Sequence, residues 1–102
     1  MIELKFTPEN LERHLSRTQI VTTRDKFVGK VGSVVMVNPI GYFAIDRIVH
    51  YNRKNLDILV HEYWYAEGFQ SPYQFKEELM SIYPDSEDFY VLFLKEVFID
   101  DL

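Results

Sequence analysis

The run Phe89-Tyr90-Val91-Leu92-Phe93-Leu94 is apolar or aromatic at every position. Successive side chains of a strand point to opposite faces of its sheet, so a strand of this composition can turn neither face to water. It has to lie inside a sheet with a covering layer on each side, and the rest of the 102-residue chain must supply those layers. A chain of this length builds one hydrophobic core and is too short to divide, so residues 1–102 are expected to form a single domain. Apolar residues make up 47% of the chain against only four glycines and four prolines, a balance of folded rather than disordered sequences.

The covering elements can be read from local signals. Residues 2–6 alternate weakly as a short strand. Thr7 then N-caps a helix with Pro8 at its first position, Phe6 and Leu11 have the spacing of a hydrophobic staple, and Leu11 and Leu15 face inward until the helix ends near Arg17. Residues 19–24 are β-branched and form a strand, and Val34 to Val37 form another. The turn Asn38-Pro39-Ile40-Gly41 joins that strand to one over residues 42–51, whose Phe43, Ile45, Val49 and Tyr51 are expected on one face, with Arg47 interrupting. Asn55 is placed to cap a helix burying Leu56, Leu59, Val60, Tyr63 and Trp64, and Gly68 to end it. Ser71, Pro72 and Gln74 form a capping box before a third helix with Phe75, Leu79 and Ile82 inward, which Pro84 stops. Strands with helices inserted between them, rather than in strict alternation, predict a small α+β barrel.

Several chemistries are excluded by inspection. There is no cysteine, hence neither disulfide nor thiolate metal site, and His14, His50 and His61 stand singly, so no metal and no cofactor is expected. The start Met1-Ile2-Glu3-Leu4-Lys5 lacks the apolar run of a signal peptide, and no apolar stretch is long enough to cross a bilayer. No membrane partner and a cytoplasmic location are therefore expected. The net charge of −5 opposes binding to nucleic acid over the whole surface, but Arg13, Arg17, Arg24, Lys26 and Lys30 cluster against a single acid, Asp25, while the chain from Asp85 onward is acidic.

Two polar features stand out. Thr22-Thr23-Arg24-Asp25 closes the second strand, where a rigid element can aim side chains into a cleft. On a regular strand Ile20, Thr22 and Arg24 share one face and Gln19, Val21 and Thr23 the other, so a site using both requires a bend. Glu67 lies at a helix C-terminus, where the dipole disfavours negative charge. Beside the apolar Phe69, a carboxyl so placed can hold its proton unusually tightly and act as a general base. Tyr65, Phe69 and Tyr83 are aromatic rings on which an unpaired base can stack, and Trp64 is expected to be core.

Taken in order, this polar cluster, Gly32-Ser33-Val34-Val35-Met36-Val37, Glu67-Gly68-Phe69-x-Ser71, Tyr83-Pro84 and Tyr90-Val91-Leu92-Phe93 resemble the ASCH family over nearly the whole chain. The resemblance implies a PUA-like β-barrel of about five to six strands with inserted helices, and a cleft lined by the first polar strand. ASCH proteins are associated with RNA binding or processing. By length the chain is similar to the small bacterial members that hydrolyse the amide of N4-acetylcytidine with a lysine, a threonine and a glutamate. That similarity implies catalytic roles for Thr22 and Glu67, with Arg24 and Asp25 matching the Arg-Asp that follows.

The lysine's position, three residues before the threonine, is Gln19 here, and the family's Gly-Asp is Gly32-Ser33. An amide can neither take a proton from a hydroxyl nor stabilise an oxyanion as an ammonium does, which leaves Lys26 or Lys30 as substitutes. The expectation is thus an RNA- or nucleotide-binding domain whose ligand residues are Gln19, Arg24, Lys26, Lys30, Tyr65, Phe69 and Tyr83. The second reading is a metal-independent amidohydrolase acting on an acylated pyrimidine nucleoside. A third is a protein-interaction domain that docks a basic partner through its acidic tail.

Overall fold

A computed structural model describes residues 2–14, 19–26, 29–38 and 40–98. Leu15, Arg17 and Pro39, and Asp100 and Asp101 of the acidic tail, lie outside the described residues. Five strands form one mixed sheet: β1 (Ile2–Glu3), β2 (Gln19–Arg24), β3 (Val34–Val37), β4 (Gly41–Asn52) and β5 (Asp88–Val97), in the order β1-β3-β4-β5-β2. Only β1 and β3 run parallel. Among the described residues three helices complete the fold, α1 (Pro8–His14), α2 (Leu56–Tyr63) and α3 (Pro72–Ile82).

As its composition demands, β5 is an interior strand, paired with β4 on one side and β2 on the other. Its Phe89 and Val91 enter a core with Val21, Leu59, Val60, Phe75 and Leu79, beneath α2 and α3. Leu92 and Leu94 enter a second core on the opposite face, with Leu4, Ile20, Val35, Val37, Phe43 and Ile45. Phe6 and Leu11, the expected staple, cover this second core, and Thr7 Oγ1 accepts the backbone N–H of Asn10 at 3.1 Å as an N-cap should.

The sheet does not close, which corrects the expected barrel. β1 is two residues long and pairs with β3, while the chain between β1 and β2 folds as α1 over the second core, so β2 keeps one unpaired edge. The face assignment of β4 is also corrected. Ile45 pairs with Leu94 but Arg47 pairs with Phe93, which makes Asp46 an extra residue, a β-bulge. The bulge shifts the alternation by one: Phe43 and Ile45 belong to the second core, whereas Val49 and Tyr51 pack against the first.

The helix boundaries follow the expected residues with two changes. Asn55 makes no capping bond; Asn52 accepts the N–H of Lys54 at 3.2 Å and opens a 3-10 turn, Arg53–Asn55, that leads into α2. Ser71 Oγ accepts Gln74 N–H at 3.0 Å, but the Gln74 carbonyl reaches past Ser71 to accept the N–H of Gln70 at 2.8 Å. Ile82, expected inward, is 48% exposed at the last turn of α3.

Beyond α2 the helical turn runs on to a Schellman motif: Phe69 N–H donates to Trp64 C=O at 2.9 Å and Gly68 N–H to Tyr65 C=O at 3.0 Å. Gly68 has φ +85°, and a Cβ there would lie 3.1 Å from side-chain carbons of Arg13. Gly68→Ala is therefore expected to cost about 1–2 kcal/mol, read as a lower denaturation midpoint at unchanged m-value.

Candidate functional site

The Schellman turn makes Glu67 the C-cap residue and directs its side chain inward, where it is only 4% exposed. Its partner is the unpaired edge of β2. Thr23 Oγ1 donates to Glu67 Oε2 at 2.6 Å, and the Thr23 backbone N–H also donates to this carboxyl. Burial dominates all the same: removal from water pushes Glu67 up to about 8, against the opposing pull of the two Thr23 donors and of Arg13 and Arg24. At neutral pH Glu67 is mostly a neutral acid, able both to donate and to accept a hydrogen bond.

Arg24, one residue on, points to the other face of the sheet. Its guanidinium lies 4.8 Å from the Phe6 ring centroid, and Nη1 donates to the Lys5 carbonyl at 2.8 Å. Nε and Nη2, the two donors that form the side-on fork of an arginine, are buried with no hydrogen-bond partner among the described residues. Burial lowers the pKa of Arg24 from its ordinary value, opposed by Tyr83 and Glu67. Burial likewise raises that of Tyr83, with Arg24 opposing. Arg13 closes the arrangement from α1: it donates to Glu78 Oε2 at 2.9 Å and stacks 4.0 Å over Phe69.

These groups surround a cavity of about 150 Å³ between β2, α1 and α3, whose polar wall includes Lys5, Thr22, Thr23, Arg24, Glu67 and Tyr83. Three consecutive residues of one strand line it although they alternate faces. The expected bend is not needed, because the cavity wraps around the free edge of β2.

The sequence-derived candidates divide sharply. Glu67, Arg24 and Tyr83 are in the wall, and so is Thr22, which is buried. The hydroxyl on Glu67, however, belongs to Thr23: Thr22 opposes Leu92 on the second-core side, and the one-residue step decides which threonine faces the helices. Gln19 sits at the far end of β2, paired with Lys95, and lines a different surface hollow with Asp46 and Phe98, so it does not occupy a place beside Thr22. Lys26 and Lys30 are exposed and outside the wall. Tyr65 is 77% exposed and meets Trp64 edge-on, also away from the cavity. Phe69 is core, stacked on Phe75 with centroids 4.6 Å apart. Asp25 accepts the Ser86 hydroxyl at 2.7 Å, a structural tie. Lys5 is the ammonium that the sequence reading missed; its residue lies in the short link before α1, where no motif marks it. The basic stretch from Arg13 likewise does not form one patch among the described residues, since Arg13 is ion-paired and Arg24 is half-buried with its Nε and Nη2 withdrawn from solvent.

No family model matches the chain, and no curated protein matches it in sequence. One solved structure does match: the crystal structure of a tyrosine-to-phenylalanine mutant of the ZmASCH protein from Zymomonas mobilis superposes with a TM-score of 0.59. The match covers 96% of this chain and 75% of that one, at 15% sequence identity. The chain has the ASCH fold. That likeness agrees with the order of motifs along the sequence, and at this identity it speaks for the ASCH fold alone. None of the described helices is long and apolar enough to cross a membrane.

Two outcomes test the site's electrostatics. Glu67 binds its proton more tightly folded than unfolded, so its contribution to stability is complete below about pH 4.5 and is lost as pH rises through about 8. Glu67→Gln, which cannot ionise, is expected to flatten this decline and to gain on the parent between pH 5 and 9 by on the order of a few kcal/mol, measured by urea denaturation. Thr23→Val removes one donor from a buried carboxyl and is expected to cost about 1–3 kcal/mol, while Thr22→Val costs less because no hydrogen bond to Glu67 is lost.

Proposed function

We propose that this domain binds a nucleotide or single-stranded RNA by receiving one base-sized ring in the cavity between β2, α1 and α3. The observation that carries this reading is the pair of unpartnered Arg24 donors, Nε and Nη2, in a wall that also holds a neutral Glu67 carboxyl. Buried donors without acceptors are uncommon in folded proteins, and two on one fork call for a ligand with two adjacent acceptors. A cavity of about 150 Å³ is the size that admits a benzene-like ring, which favours a pyrimidine over a purine and leaves any sugar outside. Glu67 then reads a polar edge of the ring and Tyr83 offers an aromatic surface. A role in RNA metabolism in the cytoplasm is part of this reading.

Titration of the tryptophan fluorescence with pyrimidine nucleotides and with short single-stranded RNA, at low and moderate salt, tests it. Saturable binding that Arg24→Lys weakens at least tenfold is expected. Absence of saturation with every ligand at every salt concentration overturns the reading.

A second reading is favoured by the 2.6 Å contact between Thr23 Oγ1 and Glu67 Oε2, the geometry of a nucleophile beside its base. An amidohydrolase built on it would use the ionised fraction of Glu67 to take the Thr23 proton as Oγ1 attacks the amide carbon. The departing amine would recover that proton as the C–N bond breaks, and water would then release the acyl group from Thr23. A base with a pKa near the working pH suits this role. Incubation with N4-acetylcytidine, followed by absorbance, is the test: turnover lost in Thr23→Val and kept in Thr22→Val supports it, and the reverse pattern returns the role to Thr22.

A further inference from the structure

The size of the cavity leaves part of the ligand outside, and the chemistry of the rim bears on what that part is. A volume of about 150 Å³ holds one ring, so whatever the ring carries must lie at the mouth. There the wall includes Lys5, which is exposed. Its backbone is fixed on both sides. Leu4 N–H donates to the Met36 carbonyl at 2.9 Å with the Leu4 side chain buried in the second core, and the Lys5 carbonyl accepts Arg24 Nη1 at 2.8 Å. The ammonium thus moves on a flexible stem from an anchored root, next to Arg24 in the wall.

The charges around the cavity do not cancel. Of its two wall carboxyls, Glu78 is held by Arg13 at 2.9 Å, and Glu67 is mostly protonated at neutral pH. Lys5 makes no ion pair among the described residues, and the fork of Arg24 meets no carboxylate. A chain of net charge −5 therefore keeps a local excess of positive charge around this one cavity. A compact, strongly hydrated ammonium on a mobile stem is suited to a phosphate, which it meets as a point charge, rather than to the planar edge of a base.

We propose that the ligand is phosphorylated and that Lys5 Nζ holds its phosphate at the mouth while the ring occupies the cavity. This rests on the reading of the cavity as a base-sized site. The phosphate belongs either to a free nucleotide or to an RNA backbone, and the recognition chemistry is shared.

The test is calorimetric titration at low salt with uridine and cytidine, their 5′-monophosphates, and the corresponding trinucleotides, on the parent protein, Lys5→Met and Lys5→Arg. Both substitutions keep the backbone carbonyl that Arg24 uses, and thermal denaturation checks that they fold. The monophosphates are expected to bind about tenfold more tightly than the nucleosides. Lys5→Met should erase that advantage with nucleoside affinity unchanged, and Lys5→Arg should retain most of it. A Lys5-dependent gain confined to the monophosphates assigns the phosphate to a free nucleotide; the same gain with trinucleotides assigns it to RNA. Nucleosides binding as tightly as their phosphates, or an advantage that survives Lys5→Met, overturns the assignment of Lys5 and leaves the base site standing. Absence of binding by every ligand overturns both.

Discussion

The hydrogen bond from Thr23 to Glu67 joins two parts of the fold that nothing in the chain order brings together. Thr23 is on an edge strand, and Glu67 caps a helix 44 residues later. A carboxyl buried to this degree is costly when ionised, so the fold retains it by two means: hydrogen bonds from the strand's unpaired edge, and a proton held past neutrality. Removing either partner would leave the other buried without its match. The local geometry depends on this junction, because the Schellman turn that aims Glu67 also places Gly68 against Arg13 and Phe69 beneath it.

The free edge of β2 connects architecture to chemistry. In a closed barrel its N–H groups would be used in pairing and its side chains separated onto two faces. In the open sheet one N–H of that edge serves a carboxyl, and side chains from both faces border a single cavity. The edge is guarded as exposed strand edges need to be, since α1 and α3 flank it. Arg24 shows the tension in this design: one arm secures the link before α1, and the remaining fork finds no acceptor among the described residues.

Much of this was legible from residue order. The double-sided apolar run placed β5 inside the sheet, Thr7-Pro8 and Ser71-Pro72 marked helix starts, and Gly68 marked a helix end, because each is a local signal with a local cause. What escaped was non-local. Closure of the sheet depended on the length of β1, and the faces of β4 on a bulge at Asp46 that no residue type announces. Of the candidates, Glu67 was singled out by the dipole argument, Arg24 by the polar strand end and Tyr83 by its aromatic ring, and all three line the cavity. The resemblance pointed to Thr22, whereas the hydroxyl on Glu67 is that of Thr23, since parity along a strand is known only once its neighbours are. Gln19 was placed at the site by resemblance and is remote from it, while Lys5 arrives from an element with no signature.

The pairing of β2 with β5 sets Gln19 against Lys95 and Arg24 against Tyr90. An early strand thus finds its sheet neighbour in the last one, and such a closure is entropically slow compared with the hairpin of β3 and β4. During synthesis Thr23 and Arg24 emerge long before the strand that fixes them. The cavity is consequently a late product of folding: a chain stalled before β5 carries every residue of its wall and still lacks the wall. On the proposed reading, ligand recognition doubles as a report that the whole sheet has been assembled.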